Sequence, residues 1–268
     1  MANKLPILDL DGKKVGDLEL PDVFNEIVRP DLIKRAVLAV QSHERQPYGA
    51  FEDAGKRPSA KLYKRRRVFR TSYGYGISRV PRKILSRNGS QFYWQGAFIP
   101  GTVGGRRAHP PKAFKVWDLK INKQERKKAI RSALSACIVK EIVAKKQRVP
   151  DAYPFVIVDD FESLSKTKDV LNVLKKLGFN DELDRIKESK IRAGKGKTRG
   201  RRYKKKVGPL VVTSKKSSVM KAVKNLGLEA VEVHSLNAAL LAPGAEPGRV
   251  VIFTKSAVEE INKSKLFI

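Results

Sequence analysis

Residues 154–159 read Pro154-Phe155-Val156-Ile157-Val158-Asp159, and this stretch decides the fold class. A short unbroken apolar run closed by a polar residue fits a strand buried on both faces, as strands of parallel sheets are. Similar runs return at Leu210-Val211-Val212-Thr213, Ala230-Val231-Glu232-Val233 and Arg249-Val250-Val251-Ile252-Phe253. Helical patterns separate them: Lys168–Leu177, ended by Gly178, then Ser217–Leu226, a short Leu236–Leu241, and a terminal helix after the last strand. Strands alternating with helices predict an α/β body whose parallel sheet is covered on both faces.

Upstream, the apolar runs Leu5–Leu10 and Val15–Leu20 flank Asp11-Gly12, a hairpin signal. Pro30 and Asp31 open a helix with Leu32, Ile33, Ala36, Val37 and Val40 at helical spacing, ending near Gln46-Pro47. Asn122 is a plausible cap for a long helix running to about Gln147, with Ile130, Leu134, Cys137, Ile138 and Ile142 facing inwards. Its start carries Arg126, Lys127, Lys128 and Arg131, which oppose the helix dipole and suggest that this end faces phosphate.

Charge divides the chain as sharply as hydropathy does. Ala54–Trp117 holds sixteen Lys or Arg and no Asp or Glu, and Lys190–Lys206 holds ten more with no acid. Together +16 and +10 supply +26 of the net +30, leaving the rest close to neutral. Concentrated positive segments repel themselves until a polyanion neutralises them. One short basic run is as readily a solvated tail or a localisation signal; two runs, one long and internal, point to nucleic acid. The first run interleaves its charges with glycines and with Tyr63, Tyr73, Tyr75, Phe92, Tyr93 and Trp94. It cannot bury a core of its own, and so long a connection is usually functional. Folded back on itself it would reach at most roughly 100 Å.

Other classes fail on their chemistry. No apolar stretch approaches the roughly eighteen residues of a membrane span, and the N-terminus lacks a signal-peptide core, so the chain reads as soluble and intracellular. Cys137 is the one cysteine, set in a helical pattern where a buried structural thiol is expected rather than a nucleophile. His43, His109 and His234 lie far apart with no cysteine pair to join, and no metal or cofactor is expected. Gly194-Lys195-Gly196-Lys197-Thr198 imitates a phosphate loop, but that loop needs a glycine where Ile191 stands. Asp159 reads as a polar residue closing a strand. Gly101–Arg107 lacks dinucleotide-binding spacing, and no serine sits in a nucleophile elbow. No enzyme is expected.

Aromatic and arginine planes among glycines favour RNA, whose unpaired bases offer stacking surfaces, and no helix-turn-helix, zinc-finger or zipper pattern points to DNA. If about eight of the charges meet phosphate, the log–log salt slope of binding would be roughly −6 to −7.

Two long segments carry a resemblance. Arg66-Arg67-Val68-Phe69-Arg70-Thr71-Ser72-Tyr73-Gly74-Tyr75-Gly76-Ile77-Ser78-Arg79-Val80-Pro81-Arg82 is one, and Gly96–Lys112, containing Gly104-Gly105-Arg106-Arg107-Ala108-His109-Pro110-Pro111, is the other. They resemble signature segments of the large ribosomal subunit protein four family, in its archaeal and eukaryotic branch, and the likeness extends over essentially the whole chain. It implies a three-layer αβα body with a central, mostly parallel sheet formed by residues 1–47 and 116–268, with a basic RNA-binding insertion at about 189–207. Residues 48–115 would be an extended loop reaching into RNA and lining the nascent-polypeptide exit tunnel at its constriction. The tip would carry Arg70, Tyr73, Gly74, Tyr75, Gly76 and Arg79. Ribosomal RNA would be met by Lys61, Lys64, Arg65, Arg66, Arg67, Arg82, Lys83, Arg87 and Trp94. On the returning side Arg106, Arg107, His109 and Lys112 would hold it, and Lys195, Lys197, Arg199, Arg201, Arg202 and Lys204 would form a further clamp. The implied partners are large-subunit RNA, neighbouring ribosomal proteins including the other tunnel-constriction protein, and transiently the nascent chain. Neither a membrane nor a homo-oligomer is implied; any structural Mg²⁺ would belong to the RNA. The place is the cytoplasmic large subunit. A free-standing RNA chaperone or assembly factor is the alternative.

Overall fold

The computed structural model describes residues 4–68 and 71–267. Its first elements are β1 (Lys4–Leu8), β2 (Lys14–Glu19) and α1 (Pro30–His43), followed by β3 (Arg82–Asn88) and β4 (Gln91–Gly96). Next come α2 (Lys123–Ile138), α3 (Lys140–Ala144), β5 (Val156–Ile157), α4 (Thr167–Lys176) and α5 (Asn180–Lys187). The small strands β6 (Lys190–Ile191) and β7 (Tyr203–Lys204) precede β8 (Leu210–Thr213), α6 (Val219–Asn225) and β9 (Glu229–Glu232). Helix α7 (Ala238–Leu241), β10 (Val251–Thr254) and α8 (Lys255–Lys263) complete the order. The chain divides into two units: residues up to Glu44 with those from Asp118 onward, and Arg45–Trp117.

In the first unit six strands form one sheet in the order β2-β1-β5-β10-β8-β9. The β1–β2 hairpin is antiparallel, turning through Gly12 at φ 80°, whereas β1–β5, β5–β10, β10–β8 and β8–β9 are parallel. Alternation along the strands sorts their side chains into two cores. Val156, Leu210, Val212, Val251 and Phe253 face Ile33 and Val37 of α1, Leu134 of α2 and Val258 and Ile261 of α8. Ile157, Val211 and Ile252 face Val170 and Leu174 of α4, Leu183 of α5 and Val219 and Val223 of α6. The body is therefore an αβα sandwich around a mostly parallel sheet. Each such aliphatic or aromatic side chain contributes about 1.5–3 kcal/mol by leaving water.

Three local features depart from the sequence reading. The helix expected to reach Gln147 stops at Ile138, because Val139 adopts extended backbone (φ −76°, ψ 103°) and α3 starts anew. The Tyr153 hydroxyl donates to the Cys137 carbonyl, an acceptor that an unbroken helix would have used itself. After the break Val143, not Ile142, takes the buried place. The strand expected over 154–159 pairs only at Val156 and Ile157. Helix α5 was not anticipated, although Asp181 and Glu182 in its first turn and Arg185 and Lys187 in its last suit the helix dipole.

Arg249, at the head of the last strand run, is 2% exposed. Its guanidinium donates to the Gly208 carbonyl (2.9 Å), the Leu240 carbonyl (2.7 Å) and Glu229 (2.7 Å). Cys137 is buried, and burial pushes its thiol up to about 12, which suits a packing residue rather than a nucleophile.

Candidate nucleic-acid interface

The second unit is held together by backbone. Lys61 and Arg82 exchange two N–H···O bonds (3.1 and 3.2 Å), Ala50 donates to Pro111 (3.0 Å), and Arg106 donates to Phe98 (3.1 Å). Gly55 and Gly105 sit where chain meets chain: a Cβ on Gly55 would lie 2.4 Å from the Arg106 nitrogen, and one on Gly105 2.0 Å from the Ile99 oxygen. Thr71 and Ser72 are buried and bond back to the carbonyls of Arg65 (2.7 Å) and Tyr63 (3.3 Å). Strands β3 and β4 form a hairpin, with Asn88 opposite Gln91 and Arg82 opposite Gly96. Gly89 enters its two-residue turn at φ 55°. This hairpin makes the segment more regular than its composition suggested. The signal was present in Asn88-Gly89 between Ile84–Arg87 and the alternating Phe92-Tyr93-Trp94.

Among the described residues no Lys or Arg of 54–117 has a carboxylate at ion-pair distance. Several instead lie over aromatic rings, where the ring quadrupole attracts a cation without cancelling its charge. Arg66 and Arg79 lie 5.7 and 5.0 Å from the centre of the Tyr73 ring, Arg82 lies 5.3 Å from that of Trp94, and Arg87 lies 5.4 Å from that of Phe92. Lys64, Arg65, Arg66, Arg67, Arg79, Arg87, Arg107, His109 and Lys112 are exposed, while Lys83 and Arg106 are half-buried. The Arg82 guanidinium also reaches the Ser78 hydroxyl (3.0 Å) and the Val80 carbonyl (3.3 Å). Gly74 and Gly76 both take positive φ (81° and 65°) on either side of Tyr75, which is 71% exposed. Arg70 lies outside the described residues.

Lys61, Tyr63, Arg82, Ile84 and Trp94 meet around a void of about 300 Å³. A second void, of about 720 Å³, gathers Arg107, His109 and Lys112 with Arg45, Tyr48, Phe114, Lys115 and Trp117, none of the last five singled out from sequence. Arg45 and Tyr48 precede the acid-free run, and the charge count that defined that run hid them.

The second basic run belongs to the first unit. Strands β6 and β7 pair Lys190 with Lys204 and Ile191 with Tyr203, closing a loop with a tight turn at Lys195–Arg199. Arg192 braces it from within, donating to the carbonyls of Arg201 (3.0 Å) and Tyr203 (3.3 Å). Lys195, Lys197, Arg199, Arg201, Arg202 and Lys204 are all exposed. Thr198 hydrogen-bonds the Lys195 carbonyl (2.9 Å), and the turn leads into β7 instead of a helix, unlike a phosphate loop. Lys206 departs from its neighbours by pairing with Glu188 at 2.6 Å.

The basic start of α2 is partly spoken for. Arg131 binds Glu26 (2.8 Å) and the Phe267 carbonyl (2.8 Å), and Lys128 lies 3.9 Å from Glu26. Asp159 caps α8 by accepting from the Ser256 amide (2.7 Å). Among the described residues there is no group of three or more His, Cys, Asp or Glu side chains able to hold a metal, and no helix is long and apolar enough to cross a membrane.

The protein is thus of the α/β class, a mostly parallel αβα body in a chain with two exposed cationic segments that contain no Asp or Glu. The particular family follows from comparison with known proteins. The model of the Ribosomal protein L4/L1 family matches residues 18–264, and the chain belongs to that family. It is similar to the protein called large ribosomal subunit protein uL4 in Nanoarchaeum equitans, 51% identical over 98% of this chain and 99% of the relative. The protein of the same name in Archaeoglobus fulgidus is 45% identical over 97% and 98%. That of Halobacterium salinarum is 44% identical over 96% and 98%. The chain is thus a ribosomal protein rather than an enzyme.

Proposed function

We propose that the chain is a structural component of the large ribosomal subunit. It binds large-subunit RNA early in assembly, and residues 67–82 help line the exit tunnel where it is narrowest. The observation that carries this reading is the second unit's array of exposed, unpaired cations held on aromatic rings in a member of this family. Charges placed so are available to phosphate without first breaking an ion pair. In this reading Lys61, Lys64, Arg65, Arg66, Arg67, Arg82, Lys83, Arg87, Trp94, Arg106, Arg107, His109 and Lys112 hold RNA along 48–115. Lys195, Lys197, Arg199, Arg201, Arg202 and Lys204 clamp it from the body. Tyr73, Gly74, Tyr75, Gly76 and Arg79, with Arg70, form the tunnel-facing tip. The further partners are neighbouring large-subunit proteins, including the other protein of the constriction, and the passing nascent chain. The protein acts without a cofactor of its own, as a single copy in the cytoplasmic subunit.

Two experiments test this. After a high-salt wash an integral component stays with the large subunit, whereas a chaperone or assembly factor leaves; release in the wash refutes the reading. Crosslinkers placed at Tyr73, Tyr75 or Arg79 are expected to reach a stalled nascent chain. Deleting 67–82 is expected to abolish those contacts while shifting the body's unfolding by less than about 0.5 kcal/mol, because none of the described residues in this stretch belongs to either buried core.

A further inference from the structure

The void of about 720 Å³ in the second unit brings together stretches far apart in sequence, Arg45 with Tyr48 and the run from Arg107 to Trp117. Its size falls within the roughly 300–1,000 Å³ typical of clefts that enclose small ligands. The rings of Tyr48 and Trp117 stand 5.0 Å apart and are splayed by 37°, too close for another ring to enter between them, so a flat ligand would stack on an outer face. The Arg45 guanidinium lies 4.6 Å from the centre of the Trp117 ring, and the Lys115 ammonium 5.7 Å from it. Tyr48 is 54% exposed and Phe114 78% exposed. The lining contains no carboxylate.

The site is also built. The Trp117 indole N–H donates to the Ala113 carbonyl (3.2 Å), which fixes the ring. Ala50 donates to Pro111, and Gly49 lets the facing backbone approach so closely that a Cβ there would lie 2.6 Å from the Ala113 nitrogen. Fixed aromatic faces ringed by cations suit one chemistry above others, a flat uncharged ring carrying anionic groups at its edge. A protein partner fits less well, since buried protein interfaces are depleted in lysine and this lining has two.

We propose that this void receives one unpaired base of the bound RNA, stacked on an outer face of the pair Tyr48 and Trp117, with flanking phosphates on Arg107, Lys115 and their neighbours. The inference rests on the RNA-binding reading above and adds to it a site that prefers single-stranded or bulged RNA over duplex.

The chain has two tryptophans, so a Trp94→Phe variant of the full protein reports on Trp117 alone. Single-stranded oligoadenylate is expected to quench its fluorescence, while a fully paired RNA duplex of equal phosphate number binds without quenching. Tyr48→Leu, at an exposed position that leaves folding intact, is expected to weaken oligoadenylate binding about tenfold and leave duplex binding unchanged. Three outcomes overturn the site: equal quenching by duplex and single strand, RNA binding with no quenching, or equal quenching by polyglutamate, which would make the site a reader of charge alone. Loss of salt-sensitive binding to both RNAs overturns the site together with the RNA-binding reading, so the two failures remain distinct.

Discussion

The two basic segments and the rest of the body dispose of positive charge in opposite ways. In the body Arg131 meets Glu26 at 2.8 Å, Arg185 meets Glu182 at 2.6 Å and Lys176 meets Asp11 at 2.6 Å. In the unit 45–117 several Lys and Arg side chains instead lie over rings at 4.5–5.7 Å, as Arg57 does over Phe51 at 4.5 Å and Arg66 over Tyr73 at 5.7 Å. A carboxylate neutralises its partner, and phosphate would have to displace it. A ring orients a cation and leaves its charge intact. The body spends its charges on its own structure, and the basic segments keep theirs available.

That contrast is best broken from the basic side, where the largest effect is expected. Replacing Lys195, Lys197, Arg199, Arg201 and Arg202 by Gln is predicted to reduce the steepness of the log–log salt slope for RNA by about 3.5–4.5. Near 0.1 M salt affinity is expected to fall on the order of a thousandfold. Filter binding across a salt series measures both. An unchanged slope means that this run does not meet phosphate, and the five exposed side chains must then be explained as solvated surface.

Core and buried-charge changes probe the body. Ile252→Ala, at a fully buried position among α4 and α6 residues, is predicted to cost about 3 kcal/mol in urea unfolding. The RNA salt slope of the folded fraction should not move. Glu229→Ala strands the buried Arg249 guanidinium, yet two carbonyls still hold it and Glu229 itself is half exposed. A smaller loss, about 2 kcal/mol, is therefore expected. A loss of RNA affinity without a loss of stability in either variant would erase the division between the body's packed interior and the basic segments.

How much of this was legible depends on how local the determinant was. Strands β8 and β10 were readable because burial on both faces writes itself as an unbroken apolar run. The break at Val139 was not, since Lys140–Ala144 keeps a helical pattern with no Gly or Pro to stop it, and the deciding hydroxyl comes from Tyr153. Arg249 looked like one more basic residue, and only the convergence of Gly208, Glu229 and Leu240 makes it a core group. The exposed cations were legible as a charge count. The void around Tyr48 and Trp117 was not, because its walls come from opposite ends of the segment.

The smallest effect tests where the boundary between the two kinds of cation falls. Lys206 closes the second basic run but pairs with Glu188, and the hydrogen bond and charge of Lys206 hold that carboxyl below its usual range. A carboxyl lowered in the folded state lends stability above its ordinary titration range and loses it as pH falls through the lowered value, so the pair should weaken only in acid. Glu188 is exposed, which keeps the consequence local. Followed by NMR, Glu188 is predicted to titrate below the ordinary carboxylate range in the free protein and to move upward in Lys206→Gln. Bound RNA brings negative charge of its own, and the Lys206→Gln protein measures that contribution separately. If Lys206 belongs with the body's paired charges, RNA shifts the Glu188 midpoint equally in both proteins. A larger upward shift in the unsubstituted protein means that Lys206 has left Glu188 for phosphate, and the boundary then moves to include it in the clamp.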